Sequence, residues 1–198
     1  MTYPPSLIQL IAALKKFPGV GKKSAERFAF KMLSWSEKDI KDFIKSIENV
    51  KSKLDFCSNC GALVETGSCP FCENMKRDTS LLCVVSSAKD IFSLEEVRLF
   101  NGVYHVLGAL LSPLDHQFEE KLQLDHLIHR IKSLGVKEVI LALDSTLEGD
   151  ATALFIKSSL RDFDVRISRL ALGLPLGSTL DFVDEGTLSR AFSGRSSF

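Results

Sequence analysis

The sequence predicts an α/β fold: a parallel sheet with helices on both faces, preceded by a small helical domain and a cysteine-rich module and followed by a short C-terminal extension. Three observations predict it. Apolar residues recur at helical spacing ahead of residue 54, four cysteines in two close pairs occupy 57–72, and from residue 81 short apolar runs alternate with amphipathic ones. Strands that alternate with helices imply parallel pairing, because each crossover must carry the chain back to the same end of the sheet.

Taken in order, Leu7, Leu10, Ile11 and Leu14 share one helical face, and "PGVG" at 18–21 breaks that helix. A second helix runs through "KKSAERFAFKML". Ser36 can cap a third, in which Ile40, Phe43, Ile44, Ile47 and Val50 line one side. After the cysteines, "LLCVV" (81–85) reads as a buried strand and "AKDIFSLEEVRLF" as a helix. "YHVLGA" is a second strand, "LDHLIHRIKSLG" a helix closed by Gly135, and "EVILAL" a third strand. "DATALFIKSSL" is helical and "VRISRLAL" extended; from Gly173 the chain is turn-rich, with a short helical signal near "EGTLSRAF". The expected divisions are 1–54, 55–78, 79–172 and 173–198.

The chain has 198 residues, 45% hydrophobic and 25% charged, ordinary values for a folded protein. No run approaches eighteen uninterrupted apolar residues, and "MTYPPSLIQL" lacks the basic start and cleavage site of a secretory signal. Five cysteines, four of them in tight pairs, suit a reducing cytoplasm and a metal better than disulfides. A net charge of zero conceals an asymmetry: residues 1–54 carry 11 Lys/Arg against 5 Asp/Glu, a balance of +6, and the rest 14 against 20, a balance of −6. The front is therefore the expected polyanion-binding face, and the back the expected protein or metal face.

Cys57-x2-Cys60 and Cys69-x2-Cys72, with eight residues between the pairs, form a four-thiolate zinc arrangement. Each pair puts two sulfurs on one tight turn, and the two turns complete a tetrahedron. Four thiolates leave no open position for a substrate water, so the zinc is expected to be structural, one per chain. Metal binding would organise a segment too short to bury a core of its own. Cys83, inside an apolar strand, is expected to be an inert core residue.

"FPGVGKKSAERFAF" resembles a helix-hairpin-helix element. Gly19 and Gly21 permit a tight turn with exposed amides. The next helix starts near Lys22 to Ser24, so its first N–H groups can meet a phosphate. Lys22, Lys23 and Arg27 add charge, the last two on one face through i,i+4 spacing. Such a grip on backbone phosphates reads no bases, so sequence specificity should be poor. An ordinary bend between two helices is the competing reading.

Asp144, Glu148 and Asp150 follow the strand "EVILAL", with Gly149 between them, and this region resembles the Toprim fold of primases, topoisomerases and some nucleases. In catalytic members of that fold a glutamate ends the first strand and a later strand end carries D-x-D, since several carboxylates must converge on Mg²⁺. Here Ser86 stands in place of the glutamate, and the D-x-D position reads Asp144-Ser145-Thr146. The only tyrosines are Tyr3 and Tyr104, and His126 and His129 have no partners that complete a site. Phosphoryl transfer is therefore not expected; Mg²⁺ binding at this edge is left open, and a docking surface for a basic protein accounts better for the acids.

Helix-hairpin-helix, four-cysteine module and Toprim-like domain in that order resemble the RecR family of bacterial recombination mediators. The resemblance spans essentially the whole chain and rests on "PGVGKKSAERFAF", "CSNCGALVETGSCPFC", "CVVSSAKDIFSLE", "GALLSPLD", "LEGDATA" and "GLPLGSTLDFVDEGTLSRAFSGR". It implies a non-enzymatic, cytoplasmic, nucleoid-associated protein without membrane contact. Subunits would form a tetrameric ring on single- or double-stranded DNA, and would work with RecO, and in many bacteria RecF, to help load RecA. By position, Lys23 and Arg27 match the family's DNA contacts and the four cysteines its zinc ligands. Asp144 and Glu148 match the region that binds RecO. The family also departs from this chain at two places: Ser86 replaces a common glutamate, and Lys22 a common proline. The rival reading from the enzyme class is a Mg²⁺-dependent Toprim nuclease or primase.

Overall fold

The computed structural model describes residues 3–65, 67–112, 122, 124–171 and 173–195. The chain divides into two compact units, Met1–Leu54 and Asp55–Phe198.

The first unit holds α1 (Pro5–Leu14), α2 (Lys22–Leu33) and α3 (Glu37–Lys53). Its small core joins Ile11 and Leu14 of α1 to Ala25 and Ala29 of α2. The two alanines, one turn apart, let the helices approach closely. Ser36 begins α3 with a reciprocal capping box: its hydroxyl accepts from the Asp39 amide at 3.2 Å, and the Asp39 carboxylate accepts from the Ser36 amide at 3.2 Å. The apolar stripe expected on α3 is present but not buried; Phe43, Ile44, Ile47 and Val50 are 42–55% exposed.

In the second unit, β1 (Leu54–Phe56) and β2 (Leu63–Glu65) make a two-stranded sheet within the cysteine module, which the sequence pattern did not indicate. Four parallel strands follow: β3 (Asp78–Val85), β4 (Gly102–Val106), β5 (Glu138–Ala142) and β6 (Arg166–Arg169), in the order β4-β3-β5-β6. The crossovers are α4 (Ala88–Val97), α5 (Leu124–Leu134) and α6 (Leu147–Ser159); a single 3-10 turn (Leu180–Phe182) and α7 (Glu185–Ser193) end the described chain. The motif "GALLSPLD" extends beyond the described residues.

Period-two alternation along β3 separates two cores. Leu82 and Val84 pack with Leu127 and Ile131 of α5 and Ile156 of α6. Cys83 and Val85 face the other way, onto Ile91 of α4 and onto Cys60, Cys69 and Phe71 of the cysteine module. Helices cover both faces, and the module serves as part of one cover. The chain leaves β3 onto one face and β5 onto the other. The crevice where direction reverses therefore lies at the C-terminal ends of β3 and β5, the place where such sheets bind ligands. Ser86 and Asp144 stand there. No described helix is long and apolar enough to cross a membrane.

Candidate metal centre and nucleic-acid interface

The four module cysteines converge. Their sulfurs all lie within 4.8 Å of one another, with Cys57 and Cys72 3.6 Å apart and Cys60 and Cys69 3.5 Å apart. A tetrahedron with metal–sulfur bonds of about 2.3 Å requires sulfur separations of about 3.8 Å, so the donor set fits a tetrathiolate metal ion. Backbone turns set this spacing: the Gly61 amide donates to the Cys57 carbonyl and the Cys57 amide to the Ala62 carbonyl, each at 2.8 Å. Burial pushes the Cys60 thiol up to about 12 and that of Cys72 higher still, each further raised by neighbouring sulfurs. Burial also opposes the Cys57 thiolate, but the amides of Cys60 and Asn59 outweigh it and bring that thiol below its usual range. Thiolates crowded in this way need a divalent cation to coexist. Cys83 is buried, its thiol pushed up to about 12 by that burial, and it stands apart from the cluster as a core residue.

The module is fastened to the sheet by contacts the sequence did not disclose. The Val106 amide on β4 donates to the Cys60 carbonyl at 2.8 Å. Arg77 spans the junction: Nη1 and Nη2 donate to Glu95 at 3.0 and 2.7 Å, Nη1 also to the Gly102 carbonyl at 3.0 Å, and Nε to the Pro70 carbonyl at 3.3 Å. Its guanidinium lies 5.2 Å from the Phe71 ring centre and 5.6 Å from that of Tyr104. Tyr104 donates its hydroxyl to Glu95 at 2.6 Å. Buried Arg130 of α5 donates to the carbonyl of Tyr104 on the edge strand at 2.6 Å.

In the first unit, Lys22, Lys23 and Arg27 are all exposed. The buried Ala25 and Ala29 fix this orientation, since positions 23 and 27 lie two residues away and project from the opposite side of α2. Gly21 is the N-cap of α2 and provides no side-chain cap, so the amides of the first turn have no helical partner. Gly19 has φ +76°, which the turn requires. Gly21 has φ −77° and needs no such freedom; its contribution is open space over the amides.

The acidic edge differs from its sequence reading. Helix α6 begins at Leu147 rather than near Asp150, because Thr146 caps it, its hydroxyl accepting from the Gly149 amide at 3.1 Å. Glu148 and Asp150 therefore belong to the first turn of α6, where their charge complements the helix dipole. Asp144 is exposed and Glu148 half-buried. Gly149 is a close approach: a Cβ there would lie 2.0 Å from the Asp144 carbonyl oxygen. Ser86, at the end of β3, donates its hydroxyl to Asp90 at 2.8 Å, within the cap of α4. Asp150 faces two arginines: Arg190 of α7 donates to it at 2.8 Å, whereas Arg169 lies 2.6 Å from its other oxygen as an ion pair without hydrogen-bond alignment, and Arg190 also donates to the Ser145 hydroxyl at 2.6 Å. Among the described residues the four cysteines are the one cluster with metal-ligand geometry; Asp144, Glu148 and Asp150 do not make another.

Comparisons with known proteins agree with this arrangement. The RecR helix-hairpin-helix model matches residues 7–51, the Toprim domain model 80–171 and the RecR C-terminal model 173–196. Recombination protein RecR of Protochlamydia amoebophila (strain UWE25) is 52% identical over 198 residues, covering 100% of both chains. The protein of the same name from Chlamydia pneumoniae is 50% identical over 99% of this chain and 98% of its own. That from Chlamydia abortus (strain DSM 27085 / S26/3) is 46% identical over 100% of both. With a helical hairpin, a tetrathiolate centre and a parallel Toprim sheet in one chain, and with full-length relatives at half identity, this chain belongs to the RecR family of recombination proteins.

Proposed function

We propose that the protein is a non-enzymatic DNA clamp in recombinational repair, which works with RecO, and with RecF where present, to help load RecA onto single-stranded DNA. The observation that carries this reading is the uncapped first turn of α2 flanked by exposed Lys22, Lys23 and Arg27. Amides and cations aimed at one place suit backbone phosphates and give little sequence preference.

The tetrathiolate metal is zinc in a structural role, since four sulfurs close the coordination sphere. Catalysis has no support at the acidic edge, where Ser86 serves the α4 cap and Asp150 is neutralised by two arginines. Asp144 and Glu148 remain to receive a basic surface of RecO. Subunits assemble into a tetrameric ring through apolar side chains that one chain leaves uncovered, among them Ile44 and Ile47 on α3 and Leu176, Phe182 and Phe192 near the C-terminus, 50–105% exposed. Residues 1–54 act as the DNA-binding domain, 55–78 as the zinc module, 79–172 as the Toprim domain and 173–198 as the assembly segment. The protein works in the cytoplasm, at the nucleoid.

One set of binding measurements tests the proposal. Labelled single-stranded DNA incubated with the protein and Mg²⁺ should be shifted and left intact, and Glu148→Lys should weaken RecO capture without altering that shift. Cleavage that Asp144→Asn abolishes would make the protein a Toprim nuclease instead.

A further inference from the structure

The turn that joins α1 to α2 carries an exposed aromatic ring among its cations. Pro18 and Gly19 are its central residues. The Val20 amide donates to the Phe17 carbonyl at 3.1 Å, and Gly19 has φ +76°, as the second central position of a type II turn requires. Val20 packs against the core of Ile11, Leu14, Ala25 and Ala29 and so anchors the turn. Phe17, three residues earlier, is 61% exposed and lies outside that cluster. It belongs neither to the apolar stripe of α3 nor to the C-terminal segment, the surfaces assigned above to assembly. Lys15 and Lys16 precede the ring, and Lys22 and Lys23 follow the turn, all four exposed. Residues 1–35 hold six Lys/Arg against one acid, Glu26, so the ring stands in a cationic field.

A closed turn brings its two ends within about 7 Å, which sets Phe17 beside the residues that open α2. A phosphate seated on the first-turn amides of α2 therefore holds the bases of its own strand near the ring. In a duplex those bases are paired and stacked, and neither face is free. In a single strand an unpaired base can lay its π face on the phenyl ring. We propose that Phe17 is a stacking platform for an unpaired base: the amides and cations of the hairpin take the phosphates of either form of DNA, and the ring adds affinity for the single strand alone. This inference rests on the reading of the α2 N-terminus as a phosphate grip. It adds a preference between DNA forms that phosphate contacts cannot supply. Every base has a π face, so the preference carries no sequence specificity. The Pro18–Gly19 turn already fixes the backbone at Phe17, so little ordering accompanies the contact.

The test uses the full chain and three fluorescein-labelled probes of equal length: oligo-thymidylate, an abasic strand with the same phosphates, and a duplex. Anisotropy titrations at one fixed salt concentration should show the wild type binding oligo-thymidylate at least about tenfold more tightly than the abasic strand. Phe17→Leu, which keeps an apolar side chain and loses the π face, should bind both strands as the wild type binds the abasic one, with duplex affinity unchanged. Phe17→Trp should retain the advantage, and its fluorescence should be quenched by oligo-thymidylate beyond the wild-type Trp35 background but not by the abasic strand. An unaltered preference in Phe17→Leu would overturn the platform. Equal losses on all three probes would overturn it too, as would a fall in assembly mass by light scattering, which would place Phe17 in a subunit contact. Lys23→Glu with Arg27→Glu separates the two levels of the argument. If the double variant still binds the abasic strand as the wild type does, the phosphate grip itself is wrong. If it loses that binding while Phe17→Leu changes nothing, the grip stands and the platform falls.

Discussion

Arg77 and Glu95, 18 residues apart in the chain, meet through both terminal guanidinium nitrogens at 3.0 and 2.7 Å and so tie the cysteine module to helix α4. The arginine side chain is only 10% exposed and lies against the Phe71 and Tyr104 rings, and its remaining donors reach the Pro70 and Gly102 carbonyls. Removing it leaves Glu95 and two carbonyls short of donors. Arg77→Met should cost about 2 kcal/mol in denaturant unfolding, below the fully buried figure because Glu95 is 30% exposed. Arg77→Lys should recover little of that, since an ammonium cannot bridge both oxygens.

The same pair predicts an acid dependence. The hydrogen bonds from Arg77 hold the Glu95 carboxyl below its ordinary value near 4.5, with the Tyr104 hydroxyl helping. A carboxyl lowered in the folded state contributes stability that is complete above its unfolded value and fades as pH falls through the folded one. Stability of the wild type should therefore decline below about pH 4.5 more steeply than that of Glu95→Gln, measured as the denaturation midpoint across pH 3 to 6. Parallel curves would remove Glu95 as a contributor.

Metal removal should act on the sheet domain and not on the module alone, because Cys60 and Phe71 share a core with Cys83, Val85 and Tyr104. Structural zinc in small modules contributes on the order of 10 kcal/mol or more. Chelation should lower the melting temperature of the Asp55–Phe198 unit and raise hydrogen exchange at β4, while the front unit keeps its helices. Co²⁺ in place of the native ion should give the visible absorption of a tetrahedral four-sulfur site, lost in Cys60→Ser.

Gly149 allows the Asp144 carbonyl to approach the first turn of α6. A methyl group there would meet backbone at 2.0 Å, so neither atom can yield by rotating a side chain. Gly149→Ala should destabilise the protein by about 1–3 kcal/mol through overpacking and displace Glu148 along with the turn. Thermal unfolding and RecO capture should fall together, whereas Ala151→Ser, beyond the close approach, should leave both near wild type.

Much of this was legible in the sequence where the signal is local. Helix α2 runs over the residues its pattern indicated, Ser36 caps α3, and the four-cysteine spacing places four sulfurs together. Strand β3 alternates between two cores and so reads as a continuous apolar run. What stayed hidden joins residues far apart in the chain. Nothing near Arg77 points to Glu95, and nothing near Asp150 points to Arg190, 40 residues on. A charge carries no periodicity that names its partner. The acids after β5 look like a strand-end cluster in the sequence, but Thr146 caps α6 and draws Glu148 and Asp150 into its first turn, and no metal-ligand cluster forms among them. The apolar stripe of α3 was correct as a pattern, but periodicity shows which residues share a face and not whether that face is covered.

Salt dependence of DNA affinity tests most directly whether the cations beside the α2 N-terminus hold the nucleic-acid backbone. If each of four subunits neutralises two phosphates, as the proposed ring would, a plot of log affinity against log salt should approach a slope of roughly −7 on duplex DNA. Lys23→Glu combined with Arg27→Glu should abolish measurable binding at moderate salt while light scattering shows the same assembly. An unchanged slope and affinity in that double variant would contradict the account, because the phosphates would then be held by some other surface.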